Sequence, residues 1–334
     1  MSLKFSKLHS FFFLLLAVGS LHARGKDTSM QHADVPLDLE SPWMTGPLLT
    51  PSATTTPKGH LSPQPYLFFS NIYGHFNNHW KIETKDQSRN INFQFYINYG
   101  LTEWMDAVVM GQFHNNTNQK SSSTGIGDSI FGFDFQLITQ DLHGYRPAVK
   151  FFVLESFPTG TYNNLNPALS HTDATGDGSY GTKIGLSFGK IYQIKDYIWL
   201  NGRFSFAYFY FSPVHVNNYN TYGGGMNTKG IIHRRGSFPV SVGAEISFTK
   251  NLVFACDILS LLSGPNRFKG EVGVDSEGFP AKVGGNQVYE LSLAPAFEWN
   301  FSEKFGIVAG SWFSIYGKNA DQFVSGVISL NIYI

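Results

Sequence analysis

The stretch Phe238-Pro239-Val240-Ser241-Val242-Gly243-Ala244-Glu245-Ile246-Ser247-Phe248 decides the fold class. From Val240 onward every second residue is apolar, and Ser241, Gly243, Glu245 and Ser247 fill the places between. Successive side chains on a strand point to opposite faces, so this segment has one apolar face and one small, polar or charged face. Only Thr249 and Lys250 separate it from a second extended run, 251–262, and so short a link reads as a hairpin.

The same period of two runs through Ile91–Tyr99, Ser129–Leu137, Tyr180–Phe188 and Tyr289–Phe301. Carried along the chain it predicts twelve strands: 62–73, 91–100, 104–113, 128–138, 147–157, 178–189, 197–212, 236–248, 251–262, 287–301, 304–316 and 321–334. Most exceed the roughly 5–6 residues usual in soluble sheets. They approach the about 9–11 residues that cross a bilayer at a tilt. The connections alternate in length. Those at 74–90, 114–127, 158–177, 213–235 and 263–286 are long, and those between them are short, with the final link short as well. Outer-membrane barrels have short periplasmic turns and long external loops. The predicted fold is therefore an all-β, transmembrane, antiparallel up-and-down barrel of about twelve strands spanning 62–334, with its long loops external. Tyr66, Tyr99, Trp104, Trp199, Tyr208, Tyr210, Trp299, Trp312 and Tyr316 fall near strand ends, as interfacial girdles do.

Composition agrees. Only 14% of the 334 residues are charged, against roughly 25% in soluble domains. Lys plus Arg equals Asp plus Glu, and no basic stripe is present, so nucleic acid is not an expected partner. The single cysteine, Cys256, rules out an intramolecular disulfide framework and a thiolate metal site. At the N-terminus, Lys4 and Lys7 precede an apolar run from Phe11 to Val18, then Gly19, Ser20 and Ala23. This pattern is a Sec-type signal peptide, 1–23, and it implies export. Residues 24–61, rich in Pro, Thr, Ser and His, read as an extended segment or plug before the barrel.

The polar faces place Asp134, Lys183, Arg203, Glu245, Asp257, Glu290 and Glu298 toward the lumen, with Trp199, Phe209 and Phe211 as inward aromatics on 197–212. Charge on a lipid face is costly, so this placement supports the phasing. Acidic groups predominate, which favours small cations if the lumen conducts. The inward aromatics suggest contact with hydrophobic solutes near the outer end of their strand. A salt-bridged interior that merely fills the barrel is the competing reading.

The stretch from Gly125 to Lys190 carries a family resemblance. Gly125-Ile126-Gly127-Asp128 opens a strand, Arg146-Pro147-Ala148 starts the next and Phe157-Pro158-Thr159-Gly160 ends it. Thr175-Gly176-Asp177-Gly178-Ser179 then leads into Ile184-Gly185-Leu186. This order resembles the outer-membrane transporter family named for the meta-pathway of phenol degradation. The resemblance implies an outer-membrane barrel passing small aromatic or other poorly soluble compounds. The terminal Leu330-Asn331-Ile332-Tyr333-Ile334 departs from the aromatic last residue that the outer-membrane assembly machinery usually meets.

Other motifs carry little. Gly176-x-Gly178-x-x-Gly181 has the dinucleotide spacing, but a strand follows where a helix is needed. Asp173-x-Thr175-x-Asp177-Gly178 begins like a calcium loop, yet Ile184 stands where the closing Glu belongs. His75 and His79 would share a face only on a helix and lack a third ligand. Asn166-Pro167-Ala168 matches a motif of long-chain fatty acid transporter hatches, but it falls in a predicted external loop. The expectation is no enzyme, no cofactor and no metal. The chain is read as an outer-membrane channel for small molecules, with membrane lipid, the assembly machinery and a small solute as partners. The alternative is a structural or surface-interaction protein with a closed lumen and partner-binding loops.

Overall fold

The computed structural model describes residues 43–141, 144–195 and 198–334. The expected signal peptide, 1–23, and residues 24–42 lie outside the described residues. The strands are β1 (Leu61–Phe76), β2 (Ile82–Thr102), β3 (Met105–Thr117), β4 (Ser122–Ile126), β5 (Ser129–Ile138), β6 (Ala148–Phe157), β7 (Gly181–Lys195) and β8 (Ile198–Phe211). They continue with β9 (Val214–Asn217), β10 (Lys229–His233), β11 (Ser237–Ser247), β12 (Leu252–Ser263), β13 (Arg267–Glu271), β14 (Val288–Ser302), β15 (Phe305–Lys318) and β16 (Ala320–Ile332).

Twelve of these form a closed antiparallel barrel: β1, β2, β3, β5, β6, β7, β8, β11, β12, β14, β15 and β16, each paired with its sequence neighbours in the ring. Closure comes from β1 against β16, in register Tyr66↔Ser329 and Phe68↔Val327. Leu61 and Ile334 exchange two backbone hydrogen bonds of 2.9 Å, so the aliphatic C-terminus is part of the seam. The closed ring leaves no sheet edge unpaired, which a bilayer demands because lipid offers no hydrogen-bonding partner.

The alternation sorts the faces as its period requires. Val242 is 47% exposed and Phe297 57%, while Ser241, Glu245, Asp257 and Glu298 are buried inside. Ile91, Phe93, Phe131, Phe204, Ile258, Val324 and Ile328 continue the outward apolar band around the ring. So much exposed apolar surface is stable only against lipid or a partner. Of the expected girdle, Tyr99, Trp104, Tyr208, Tyr210, Trp299 and Tyr316 do face out. Tyr66, Trp199 and Trp312 do not. Trp312 packs with Tyr66 on the interior cluster of Leu48 and Phe68 and donates to the Ser292 hydroxyl at 2.9 Å. Trp199 is buried.

The long connections differ from the expectation in one place and gain structure in others. Residues 74–90 are mostly not a loop: β1 runs on to Phe76 and pairs with Ile82 across a tip of 77–81. This extension is polar on both faces, as a hairpin rising beyond the apolar band should be, and so it lacks the alternation that marks the rest. His75 is accordingly on a strand and lies 3.7 Å from Asp321, while His79 is in the tip; the helical pairing does not form. In 118–128, β4 folds back on β3. The 212–236 and 264–287 connections contribute β9, β10 and β13 to a small separate sheet. Val214, Val216, Tyr222 and Ile232 form its buried core, against which Tyr162 and Phe268 pack. The long-loop end is thus capped by a folded unit.

Three of the stretches that carry the family resemblance, 125–128, 157–160 and 175–179, meet at the long-loop end, whereas Arg146-Pro147-Ala148 opens β6 at the other end and Ile184-Gly185-Leu186 lies within β7. The Asp128 carboxylate accepts from the backbone N–H of Gly160 and of Asp177, both at 2.9 Å. The Thr175 hydroxyl donates to the Ile126 carbonyl and that of Thr159 to the Gly127 carbonyl, each at 2.7 Å. Asp177 is ion-paired with Arg234 at 2.9 Å. Burial raises the Asp128 carboxyl above its ordinary value, and the two backbone donors pull the other way. These three stretches form a clasp holding the 158–180 connection to the barrel rim. The carboxylates of the calcium-like spacing are spent on protein donors: Asp173 accepts from the Asn166 N–H at 2.8 Å.

Candidate functional site

Residues 43–58 run through the barrel interior at the short-turn end. Pro47, Pro51 and Pro57 each remove a backbone donor, and the segment's ladder pairing is confined to a bridge between Lys58 and Gly100. Its buried N–H groups need acceptors from the wall. Trp43 donates to the Lys250 carbonyl at 3.2 Å, and others find carboxylates and an amide. Glu298 accepts from the Thr45 N–H at 2.9 Å and from its hydroxyl at 2.7 Å. Asp257 accepts from the N–H groups of Leu49 and Thr50, one on each oxygen at 3.0 Å. Gln136 takes the Thr55 N–H at 2.8 Å and Asp106 the Thr56 N–H at 2.6 Å. From the wall, Arg203 donates to the Thr45 carbonyl at 3.3 Å and Asn331 to the Thr45 hydroxyl at 2.6 Å. Asn300 donates to the Trp43 carbonyl.

Side-chain packing completes the plug. Leu48 is 2% exposed and lies against Phe68, Ala294, Ala296, Val308 and Val327. Gly46 has φ 130°, and any side chain there would collide with the Arg203 guanidinium. The carbonyl of Pro57 sits where a Cβ on Gly100 would be.

The ten residues singled out from the sequence are not one ring. Glu298 and Asp257 hold the plug. Glu245, buried beside them, accepts from Asn201 at 2.7 Å and lies 3.8 Å from Arg203. Asp134 is ion-paired to Lys150 at 2.5 Å. Each of these four carboxylates is engaged by protein groups, and of them only Asp134 lines either of the two cavities that flank the plug. Glu290 lines a cavity near the long-loop end with Ser292. Trp199 is near the start of β8, at the short-turn end, away from Phe209 and Phe211. Phe211 packs edge-on against Phe209 and is covered by the Arg234 guanidinium 3.7 Å from its ring. Phe209 faces a cavity. So does Lys183.

Two cavities flank the plug. One, of about 340 Å³, is bounded by Leu48, Pro51, Tyr66, Phe68, Tyr96, Phe152 and Phe209, with Lys183 and Arg203. The other, of about 300 Å³, meets the opposite side of Leu49 and Pro51 and includes Lys183, Leu259, Glu290 and Trp312. Asp106 and Lys150 were missed from the sequence, whereas Gln136 and Asn300 follow the polar alternation of their strands without having been singled out. Lys150 sits in Ala148-Val149-Lys150-Phe151-Phe152, where no polar–apolar alternation exists to phase it. Asp106 shares its inward face with Val108 and Met110, so that strand reads apolar on the wrong side.

A closed twelve-stranded barrel, apolar outside and occupied inside by the chain's own residues 43–58, defines the class: an outer-membrane β-barrel fold. The fold is similar to that of an outer-membrane channel from Pseudomonas putida F1, with a TM-score of 0.63, 11% identity, and coverage of 85% of this chain and 98% of that one. The translocator domain of the autotransporter NalP from Neisseria meningitidis aligns with a TM-score of 0.43 at 10% identity over 83% of this chain and 89% of that one. The toluene transporter TodX from Pseudomonas putida gives 0.38 at 11% identity, over 83% and 90%. No family model and no curated protein sequence matches the chain, and the likeness to solved structures is one of fold.

Proposed function

We propose that this protein is an outer-membrane channel for small molecules, closed at its periplasmic, short-turn end by residues 43–58. The observation that carries the reading is the plug itself: a proline-rich strand of chain held by side-chain acceptors instead of sheet pairing, with a cavity on either side. A barrel filled only for stability has no need of a separate segment seated through exchangeable hydrogen bonds. The aromatic walls of the larger cavity favour poorly soluble or aromatic solutes, in keeping with the resemblance of 125–190. In this reading the signal peptide delivers the chain to the periplasm, the assembly machinery inserts it, and the folded cap of β9, β10 and β13 faces outward. Transport needs no catalytic group, and none of the engaged side chains is arranged as nucleophile and base.

The folded cap, with its own core, favours a second reading in which the loops bind a partner and the lumen stays shut. Liposome swelling with uncharged solutes of rising size separates the two. The mature chain is expected to admit the smallest solutes slowly, and a variant lacking 24–58 to admit them faster, up to a defined size. A truncated barrel that folds but passes nothing eliminates the channel and leaves the cap as the functional surface.

A further inference from the structure

Four charged side chains reach the larger cavity: Asp134, Lys150, Lys183 and Arg203. Lys150 is paired with Asp134, and Arg203 with Glu245 outside the cavity lining. Lys183 has no hydrogen-bond or ion-pair partner among the described residues; its ammonium lies 5.7 Å from the centre of the Phe152 ring. It borders both cavities. The Asp134 carboxylate acts on it electrostatically but is already ion-paired to Lys150, so the three groups carry one excess positive charge that an incoming anion would balance. Around it stand flat apolar surfaces: Phe152 is buried in the wall, Phe209 follows on the next strand, and Tyr66 and Tyr96 meet edge to face at 5.8 Å. Gly185 makes this possible, since a side chain there would strike the Phe152 ring. Aromatic walls select a flat ring by offset and edge contacts, and about 340 Å³ is room for one ring and a small substituent.

From this we infer that the larger cavity is a binding site for a small aromatic carboxylate, its anionic group held by Lys183 and its ring by Phe152, Phe209, Tyr66 and Tyr96. The inference rests on solute reaching the lumen, as the channel reading holds, but binding is measured apart from flux. The site has the reverse charge preference from the one the acidic residues suggested, because Glu245, Asp257, Glu290 and Glu298 do not line this cavity and Asp134, which does, is paired with Lys150.

The test is calorimetric titration of the mature chain in lipid nanodiscs with benzoate, benzyl alcohol and octanoate as probes. Benzoate is expected to bind, and more tightly than benzyl alcohol, which keeps the ring without the charge, or octanoate, which keeps the charge without the ring. Lys183→Met should weaken benzoate about tenfold or more, the loss typical of one hydrogen bond to a charged group, and leave benzyl alcohol unchanged. Lys183→Arg should retain benzoate binding. Heat-modifiable gel mobility confirms that each variant is folded. No benzoate binding to the unaltered chain, equal affinity in folded Lys183→Met, or tighter binding of octanoate would each overturn the assignment. A barrel that binds benzoate but passes no solute would fail as a channel and keep the site.

Discussion

Replacing Asp257 and Glu298 together by alanine is expected to unseat residues 43–58 and raise the solute permeability of the barrel toward that of the chain lacking them. The two carboxylates accept four of the hydrogen bonds that anchor the segment, to Thr45 twice and to Leu49 and Thr50 once each. Each hydrogen bond to a charged group contributes about 1.5–3 kcal/mol. Losing all four removes the charged acceptors of the Thr45–Thr50 stretch, a loss large against the marginal stability of most folds. The barrel wall should survive, since both side chains point inward and neither takes part in strand pairing. Swelling rates of liposomes holding the double variant check this. Rates unchanged from the parent, with the barrel folded, would mean that Leu48 and its apolar neighbours hold the segment without help.

The second large effect concerns the outer face. Arg at Val242 should block or strongly impair assembly, because that position is mid-strand on β11 and faces lipid. A mid-membrane Arg or Lys on a lipid face costs roughly 2–4 kcal/mol, a large share of the marginal stability of most folds. Arg at the adjacent Ser241 should do less harm, since that residue borders the smaller cavity, where a long cation can find water or Glu290. Refolding yield into lipid vesicles, read from heat-modifiable gel mobility, measures both. Equal loss at the two positions would invert the assignment of inside and outside.

Much of this barrel is written locally. In β11 and β14 the alternation of small or acidic residues with apolar ones gives both the strand and its face, because lipid and lumen impose opposite demands on neighbouring residues. Glu245, Asp257 and Glu298 were legible for that reason. What they touch was not. Thr45 and Glu298 stand 253 positions apart, and nothing periodic in the proline-rich segment announces where it will lie. Strand phase shows that a carboxylate points inward, but its availability to a passing cation depends on a partner remote in sequence. The polar hairpin of Phe76 and Ile82 was hidden for a different reason, since a strand wet on both faces has no contrast to read. Lys150 was masked by hydrophobic neighbours on both of its sides. Conversely, the Gly125–Asp128 and Thr175–Ser179 motifs were visible as patterns and opaque as physics until Asp128 was seen to join them.

Occupation of the lumen by residues 43–58 is the claim on which the rest depends, and thiol labelling tests it most directly. In a background where the native Cys256 is replaced by serine, single cysteines are placed at Leu48, which is buried within the barrel, and at Lys58, which is exposed. A bulky water-soluble maleimide added to the folded mature chain in vesicles should modify position 58 quickly. Position 48 should stay protected until Asp257 and Glu298 are replaced. Rapid labelling at both positions in the otherwise unaltered chain would place the segment outside the barrel and contradict the account.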